Sequence, residues 1–233
     1  MKAVLLAAGL GTRLRPLTDH TPKCLVDIGG RALLDIWLDA LTDLGVDEVL
    51  VNTHHLADRI TTHLAGRAGG PRVLTVHEPV LLGSAGTLRR NAAFLADEDM
   101  FLAINADNLT DFDLRGLVDA HRQGGRLATF TVFRAPRPSE CGIVEVHDGL
   151  VIGFEEKPAA PRSNLANAGM YAFDPGVLDL ITGSDPLDIG RHLLPRLVGH
   201  AGVATLGAAR LIDIGTPEAL TRARHEWEAE LQR

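Results

Sequence analysis

The sequence predicts an α/β fold in which a mixed, mostly parallel sheet is flanked by helices. Apolar runs of strand length alternate with amphipathic helical stretches through residues 1–133, as in parallel sheets covered on both faces. The first apolar run, from Val4 to Ala8, leads directly into a glycine-rich break. After Pro136 and Pro138 the pattern changes to a hairpin, so the second half of the sheet is expected to be antiparallel in part.

The same periodicities predict each element in order. Apolar residues at helical spacing and helix-start residues indicate helices at residues 31–44, 57–64, from Ser84 onward, 114–123, 175–181, 187–198 and 217–231. Apolar or alternating stretches indicate strands at residues 4–8, 47–53, 72–77, 101–104, 128–133, 141–146, 150–154 and 170–173. Asp148 and Gly149 predict a tight hairpin turn. Ser84, Asp111 and Asp113 are expected to cap helices or turns.

Composition sets the broad class of the protein. A chain of 233 residues with 45% hydrophobic and 23% charged residues predicts one globular domain over residues 1–233. The net charge of −7 argues against a nucleic-acid partner, and no apolar run approaches the roughly 18 residues of a membrane span. Cys24 and Cys141 have no metal-ligand spacing and are interpreted as reduced thiols of a cytoplasmic protein.

The first loop combines glycines with cationic side chains. Gly9 and Gly11 let the backbone approach a ligand closely, and amide groups there can surround phosphate oxygens. Leu14 stands where a dinucleotide-binding loop has its third glycine, and the Gly-Lys-Ser/Thr end of a P-loop is absent. The pattern is instead G-x-G-T-R-x-x-P-x-T followed by Pro-Lys, at Gly9, Gly11, Thr12, Arg13, Pro16, Thr18, Pro22 and Lys23.

Asp107 follows the strongest central-strand signal, Phe101 to Ile104. A carboxylate at the carboxyl end of such a strand lies where open α/β sheets bind ligands. By position alone Asp107 is a helix or turn cap, whereas with the glycine-rich loop present the preferred interpretation is a metal ligand. Other short motifs occur along the chain, namely L-G-S-A-G at 82–86, E-K-P at 156–158, N-A-G at 167–169 and D-I-G-T-P at 213–217.

Together these motifs resemble the sugar-1-phosphate nucleotidyltransferase family, in particular its mannose- and heptose-1-phosphate guanylyltransferases. The resemblance extends over the whole chain, with departures at Ser84, Ala106 and Leu211, where the family often has Thr, Gly and Trp. It implies a Rossmann-like nucleotidyltransferase fold with a nucleotide-binding half over 1–133 and a sugar-binding half with the C-terminal helix over 134–233. Larger relatives carry a further C-terminal domain. The 233 residues of this sequence end before such a domain could begin, so a single activity is expected.

The resemblance also implies roles for individual residues. Nucleotide-binding roles fall on Leu6, Ala8, Gly9, Gly11, Thr12, Arg13, Gly83, Gly86 and Asp107. Sugar-binding roles fall on Gly142, Glu156, Lys157 and Asn167, where Gly142 acts through its backbone. Asp107 and Asp213 are the expected Mg²⁺ ligands, and the expected catalytic set is Arg13, Lys23, Asp107, Lys157 and Asp213.

The implied reaction joins an NTP and a sugar 1-phosphate to give an NDP-sugar and pyrophosphate. The attacking phosphate is already mostly dianionic near neutrality, because its second pKa is about 6, so no general base is required. The layout from Glu78 to Gly86 resembles that of the mannose- or heptose-1-phosphate guanylyltransferases and so implies GTP. The alternatives are UTP, or CTP with a non-sugar phosphate. Neither a membrane nor nucleic acid is expected as a partner, and the protein is expected to be a monomer or a homo-oligomer.

Two other functions remain open at this point. A catalytically silent NDP-sugar-sensing subunit would be expected to lose charged site residues, whereas all five catalytic candidates are present. A glycosyltransferase that uses an NDP-sugar would need a metal-binding Asp-x-Asp, a form that Asp111, Phe112 and Asp113 have. That function would leave the glycine-rich loop without a purpose.

Overall fold

The computed structural model describes residues 1–205, 207 and 209–231. The chain forms two compact units, each assembled from separate segments. We call them the loop unit, made of Ala3–Val80, Asn105–Phe112 and Ala209–Arg233, and the hairpin unit, made of Met1–Lys2, Leu81–Ile104 and Asp113–Ala208. The functional division into residues 1–133 and 134–233 stays a prediction.

Helices and strands alternate as the sequence predicts for an α/β fold. The helices are α1 (Leu33–Leu44), α2 (Ala57–Ala65), α3 (Ser84–Arg90), α4 (Ala92–Leu95), α5 (Leu114–Gly124) and α6 (Pro217–Leu231). The strands are β1 (Lys2–Leu6), β2 (Asp27–Ile28), β3 (Arg31–Ala32), β4 (Glu48–Thr53), β5 (Arg72–His77), β6 (Phe101–Asn105), β7 (Asn108–Thr110), β8 (Ala128–Arg134), β9 (Gly142–His147), β10 (Leu150–Glu156), β11 (Leu165–Phe173), β12 (Ala201–Thr205) and β13 (Leu211–Asp213). The predicted α/β class, with helices flanking a mixed sheet, is confirmed.

In the loop unit, the strands lie in the order β5, β4, β1. β4 and β5 pair in parallel, from Glu48 opposite Arg72 to Thr53 opposite His77. The helix α1 buries an apolar stripe that includes Leu34, Trp37 and Leu41, because these residues recur at helical spacing. Because they are parallel, β4 and β5 end at the same edge of the sheet.

A short antiparallel ribbon completes the loop unit. β7 pairs with β13, and Asp213 stands directly opposite Asn108. The indole Nε1 of Trp37 donates to the carbonyl oxygen of Asn108 at 2.9 Å, which attaches the ribbon to α1. The sequence did not predict this ribbon, because three-residue strands are too short to show a period.

In the hairpin unit, the strands lie in the order β6, β11, β8, β12, β10, β9. β11 is antiparallel to both β6 and β8, whereas β12 is parallel to β8. The β9–β10 hairpin turns at Asp148 and Gly149, both with positive φ, as predicted. This unit has a larger antiparallel share than the sequence predicted, because β11 inserts between two strands that run in the opposite direction to it.

Three predicted helices differ in their details. Residues 31 and 32 form β3, so that α1 begins at Leu33. Residues 175–181 contain a 3₁₀ helix, Pro175–Leu180, rather than an α-helix. Residues 187–198 contain a π-helix, Ile189–Leu193, and a 3₁₀ turn, Leu194–Leu197. Pro195 has no amide N–H to continue an α-helical ladder, which accounts for the break at the 3₁₀ turn.

Cys24 and Cys141 are both free thiols. Burial raises the pKa of Cys24 to about 12, so this thiol is unreactive near neutral pH.

Across the described residues, every helix falls short of the length and apolar character that crossing a bilayer requires.

Gly45 ends α1 in the left-handed conformation, with φ 81° and ψ 34°. We expect Gly45→Ala to lower the free energy of unfolding by about 1–2 kcal/mol, because a Cβ is strained in this conformation. Gly66 ends α2 at φ −84°, which any residue adopts, so that Gly66→Ala is the matched control and should be neutral or slightly stabilising. Urea unfolding checks both, and equal stabilities of the two variants would contradict this assignment.

Candidate functional site

The β7–β13 ribbon positions the two aspartates that the sequence predicts as metal ligands. Asp107 lies in the turn that leads into β7, and Asp213 is the last residue of β13. The register places Asp213 opposite Asn108, and the amide of Ile214 donates to the carbonyl oxygen of Asp107 at 3.4 Å. Two carboxylates that are distant in sequence are therefore held next to each other by backbone pairing.

Lys23 joins these two carboxylates. Its Nζ donates to Oδ2 of Asp107 at 2.8 Å and to Oδ1 of Asp213 at 3.1 Å. Only 8% of the Lys23 side chain is exposed, against 45% for Asp107 and 55% for Asp213. The ammonium group thus lies below the carboxylates, which still reach solvent. The sequence placed Lys23 at the α-phosphate, whereas in this structure both aspartates bind its ammonium group.

Arg13 completes the cluster from the loop that follows β1. Its Nη2 lies 3.6 Å from Oδ2 of Asp213, and its side chain is 66% exposed. A Cβ on Gly215 would lie 2.6 Å from the same Nη2, so the glycine of the D-I-G-T-P motif makes room for the guanidinium. The loop unit therefore brings together four of the five residues that the sequence predicts as catalytic, Arg13, Lys23, Asp107 and Asp213, and their catalytic roles stay predictions.

The loop between β1 and Lys23 is shaped by Gly11 and Thr18. Gly11 has φ +62°, and a Cβ there would lie 2.8 Å from the Thr18 methyl carbon. The Thr18 hydroxyl donates to the carbonyl oxygen of Gly11 at 2.8 Å. Within the described part of the chain, nothing accepts a hydrogen bond from the amides of Gly9 or Gly11. These amides are available for phosphate oxygens.

The donor set fits a divalent cation that retains several waters. In residues 1–205, 207 and 209–231, no three His, Cys, Asp or Glu side chains are grouped closely enough to hold a metal ion. Asp107 and Asp213 form a pair of partly exposed carboxylates. Mg²⁺ is typically bound through one or two carboxylates together with water and substrate phosphates, so this pair suits Mg²⁺ rather than a metal that requires a full protein cage.

The L-G-S-A-G segment packs tightly within the hairpin unit. A Cβ on Gly83 would lie 2.3 Å from the carbonyl oxygen of Leu187, and one on Gly86 would lie 2.6 Å from Oδ1 of Asp185. The amides of Ala85 and Gly86 both donate to that Leu187 oxygen. Packing alone explains both glycines, and their contact with the nucleotide stays a prediction.

The expected cap role of Ser84 is wrong. The hydroxyl of Ser84 makes no cap hydrogen bond in α3, which begins after Gly83. It donates instead to Oδ2 of Asp188 at 3.2 Å and accepts from the amide of Ile189 at 2.8 Å. These partners lie about a hundred residues away in the chain, so no local pattern could reveal them.

Glu156 lies in a recess formed by two glycines. Gly142 stands opposite it in the β9–β10 hairpin. A Cβ on Gly142 would lie 2.7 Å from Oε2 of Glu156, and one on Gly190 would lie 2.9 Å from the same atom. Any larger residue at either position would displace this carboxylate, so the structure brings the predicted sugar-binding residues Gly142 and Glu156 together.

Lys157 and Asn167, the other predicted sugar-binding residues, are each held by hydrogen bonds. Lys157 has φ 50°, and its amide donates to the carbonyl oxygen of Cys141 at 3.0 Å. A positive φ at a lysine is strained, and this hydrogen bond helps to hold it. Asn167 donates to the Tyr171 hydroxyl at 2.7 Å and accepts from the amide of Gly169 at 3.1 Å. Its amide group is thereby fixed in orientation.

Asp188 and Arg191 are charged neighbours of Glu156 that sequence reasoning missed. Burial, and then the charge of Asp188, raise the pKa of Glu156, while Lys157 and Arg191 oppose the shift. Asp188 also accepts from the amide of Arg191 at 3.1 Å. That pattern is typical of an ordinary helix cap, so the sequence offered no separate signal for a charged cluster here.

Asp111 and Asp113 already have structural partners. Asp111 Oδ2 accepts from Nε and Nη2 of Arg210 at 2.9 and 2.8 Å, and its Oδ1 accepts from the Arg210 amide. Asp111 is therefore an ion-pair partner and not the cap that the sequence predicts. Asp113 caps α5, as predicted, by accepting from the amide of Arg115 at 2.9 Å. These contacts weigh against an Asp-x-Asp metal site.

The raised pKa of Glu156 has a consequence for stability. Because the folded state disfavours the charged carboxylate, ionised Glu156 lowers the free energy of unfolding. This cost is absent below the ordinary pKa of 4.5, and it grows as the pH rises through the pKa that Glu156 has in the folded state. We therefore expect Glu156→Gln to be more stable than the wild type at pH 7, and the difference to vanish below pH 4.5. Thermal unfolding across this range checks it, and a variant less stable at pH 7 would contradict it.

Curated relatives match most of the chain. A UTP–glucose-1-phosphate uridylyltransferase of Synechocystis is 35% identical over 214 residues, which cover 85% of this chain and 55% of that protein. The catalytic subunit beta of a mannose-1-phosphate guanylyltransferase from Drosophila pseudoobscura is 34% identical over 222 residues, which cover 93% of this chain and 60% of that protein. The chain thus spans a little over half the length of these relatives.

Solved structures and a family profile extend the comparison. A Bacillus anthracis protein described as a glucose-1-phosphate thymidylyltransferase superposes with a TM-score of 0.87 at 24% identity, over 98% of this chain and 95% of that one. HddC from Yersinia pseudotuberculosis, solved with GMP-PN, superposes with a TM-score of 0.79 at 23% identity, over 97% and 98%. They confirm the predicted nucleotidyltransferase fold. The nucleotidyl transferase family profile matches residues 2–230, and the chain belongs to that family.

Proposed function

We propose that the chain is a sugar-1-phosphate nucleotidyltransferase that transfers a nucleotidyl group from an NTP to a sugar 1-phosphate. The observation that carries the proposal is the contact of Lys23 with both Asp107 and Asp213, at 2.8 and 3.1 Å, beside a glycine loop with available amides. The names of both curated relatives describe transfer to a sugar 1-phosphate, which supports this reaction class.

In the proposed reaction, an oxygen of the sugar phosphate attacks the α-phosphorus of the NTP. A new P–O bond forms to that oxygen, the bond between the α-phosphorus and the β-bridging oxygen breaks, and pyrophosphate leaves with its electron pair. Because the attacking phosphate is largely dianionic near pH 7, with a second pKa of about 6, no proton has to be removed. Catalysis then consists of alignment and charge stabilisation.

One set of residues is assigned to the NTP. The amides of Gly9 to Thr12 and the exposed guanidinium of Arg13 bind the β- and γ-phosphates and stabilise the departing pyrophosphate. Leu6 and Ala8 lie against the nucleoside. Asp107 and Asp213 would hold Mg²⁺, which when bound supplies charge neutralisation at the reacting phosphates. Lys23 keeps the two carboxylates adjacent and stabilises negative charge at the α-phosphate.

A second set of residues is assigned to the sugar and the base. Lys157 binds the sugar phosphate, while Glu156 and Asn167 hydrogen-bond sugar hydroxyls. Glu156 accepts from hydroxyls, and Asn167 can both accept and donate. Gly142 contributes its backbone, and Gly83 and Gly86 contact the base. We place the reaction in the cytoplasm, an expectation supported by the two free thiols.

GTP is the favoured nucleotide. The segment from Glu78 to Gly86 resembles guanylyltransferases, and mannose-1-phosphate guanylyltransferases from several organisms are among the relatives. UTP is the alternative, because a uridylyltransferase is equally similar to this chain.

We predict that pyrophosphate is released with Mg²⁺, mannose 1-phosphate and GTP, and much more slowly with UTP, CTP, ATP or dTTP. A coupled pyrophosphate assay measures each NTP separately, and heptose 1-phosphate, N-acetylmuramic acid 1-phosphate and glucose 1-phosphate extend the panel. Release only with UTP would overturn the preference for GTP. Nucleotide binding without release for any sugar phosphate would favour a sensing subunit.

We predict that Asp107→Asn lowers kcat/KM by about 10²–10³-fold, because one charged contact at a reacting phosphate is worth a few kcal/mol. Asp111→Asn is the matched control, since Asp111 pairs with Arg210 in the same unit, and its kcat/KM should stay within about threefold of the wild type. Steady-state kinetics test both. Equal losses in the two variants would contradict the assignment of Asp107.

We expect Lys23→Met to cause a comparable loss, because the substitution leaves two adjacent carboxylates without their shared cation. Lys2→Met is the matched control, since Lys2 pairs with Glu98 at 3.4 Å and has no assigned role. Both variants remove one lysine charge and keep an unbranched side chain. Wild-type kinetics for Lys23→Met would contradict its proposed role.

A further inference from the structure

A buried amide group attaches the start of the glycine loop to β4. Oδ1 of Asn52 accepts from the amide of Ala7 at 2.7 Å and from the amide of Ala8 at 3.3 Å. Only 4% of Asn52 is exposed. These two residues directly precede Gly9, so the side chain of Asn52 sets where the loop leaves the sheet.

A buried carboxylate fixes the orientation of that amide. Nδ2 of Asn52 donates to Oε1 of Glu78 at 2.9 Å, and Glu78 is 2% exposed. Because Nδ2 donates to Glu78, the amide of Asn52 is oriented with its acceptor oxygen towards the loop amides, which are donors. Burying a carboxylate is costly unless it is hydrogen-bonded. Packing alone is therefore a poor explanation for the buried Asn52–Glu78 pair.

The far end of the loop is attached to the same segment. A ring nitrogen of His55, Nε2, lies 2.8 Å from the carbonyl oxygen of Thr18. Thr18 is 1% exposed and its hydroxyl donates to Gly11. Residues 52–55, which leave β4, thus contact the loop before Gly9 and after Gly11, while the amides of Gly9 and Gly11 stay available.

We infer that Asn52 is a positioning residue for the NTP-binding loop, with Glu78 orienting its amide and His55 fixing the opposite end. This inference rests on the proposed function, which assigns the loop to the phosphates. Asn52 and Glu78 touch no reacting group. They act through the backbone amides of Ala7 and Ala8, and a displacement of about 1 Å in such a loop is enough to cost roughly 10²-fold in rate.

The sharpest test exchanges the donor and the acceptor of the buried pair. Asn52→Asp keeps the shape and the acceptor oxygen, but it places a second carboxylate against Glu78. The double variant Asn52→Asp/Glu78→Gln restores a donor between the two side chains in the reverse direction. We expect the single variant to raise the KM for GTP by about ten- to hundredfold, with the KM for the sugar 1-phosphate within about twofold. The double variant should recover most of this loss.

Hydrogen exchange gives a readout that does not depend on activity. The amides of Ala7 and Ala8 should exchange faster in Asn52→Asp and return towards the wild-type rate in the double variant. Thr129→Val is the matched control, because it removes a buried hydrogen bond to His121, at 3.1 Å, away from the proposed site. It should leave the KM for GTP and both exchange rates unchanged.

Variants of His55 provide a second test. His55 is half-buried, so substituting it disturbs folding less than substituting the buried Asn52. His55→Ala should raise the KM for GTP severalfold, and His55→Gln should restore it, because a glutamine amide can donate to the Thr18 carbonyl oxygen. Wild-type KM values and exchange rates in both Asn52→Asp and His55→Ala would overturn the inference, as would a double variant no better than Asn52→Asp.

The failure of the proposed function would be recognised separately. If the wild-type protein released no pyrophosphate with any of the NTPs, the proposed reaction would be wrong. The exchange rates of Ala7 and Ala8 would then decide by themselves whether Asn52 holds the loop. Faster exchange in Asn52→Asp with recovery in the double variant would support the positioning role, and unchanged exchange would overturn it.

Discussion

The loop unit depends on one buried ammonium group. Asp107 and Asp213 are brought side by side by the β7–β13 ribbon, and two adjacent carboxylates repel each other unless a cation lies between them. Lys23 supplies that cation from the N-terminal segment. The contact therefore joins three distant parts of the chain, around residues 23, 107 and 213, and the proposed metal site requires them to meet.

The same arrangement explains how an acidic chain could handle polyphosphates. With a net charge of −7, the protein must concentrate positive charge locally. Arg13 and Lys23 do so beside loop amides that are available to phosphate oxygens, while Asn52 accepts from the preceding amides of Ala7 and Ala8. Glu156 is a charged group that is held at a cost. Burial in its recess raises its pKa and lowers the stability of the protein, a cost that a sugar-binding role would justify.

Local signals predicted much of this molecule, and long-range contacts account for most of what was missed. The glycine loop, Asp107 after a buried strand and the Asp148–Gly149 turn each depend on a short stretch of sequence, and all three are found in the structure. The β7–β13 ribbon, the Ser84–Asp188 contact and the Asn52–Glu78 pair join residues whose neighbours in sequence give no sign of the partner. Pro195 does signal a break within 187–198, but no local pattern indicates the π-helix Ile189–Leu193.

The central claim is that Asp107 and Asp213 together hold the divalent cation that serves the NTP. Crystals of the wild-type chain grown with Mn²⁺ and a non-hydrolysable GTP analogue, measured at the manganese absorption edge, test it directly. The account predicts an anomalous peak coordinated by a carboxylate oxygen from each of the two aspartates. A manganese ion bound to the nucleotide phosphates with neither aspartate as a ligand would contradict the claim.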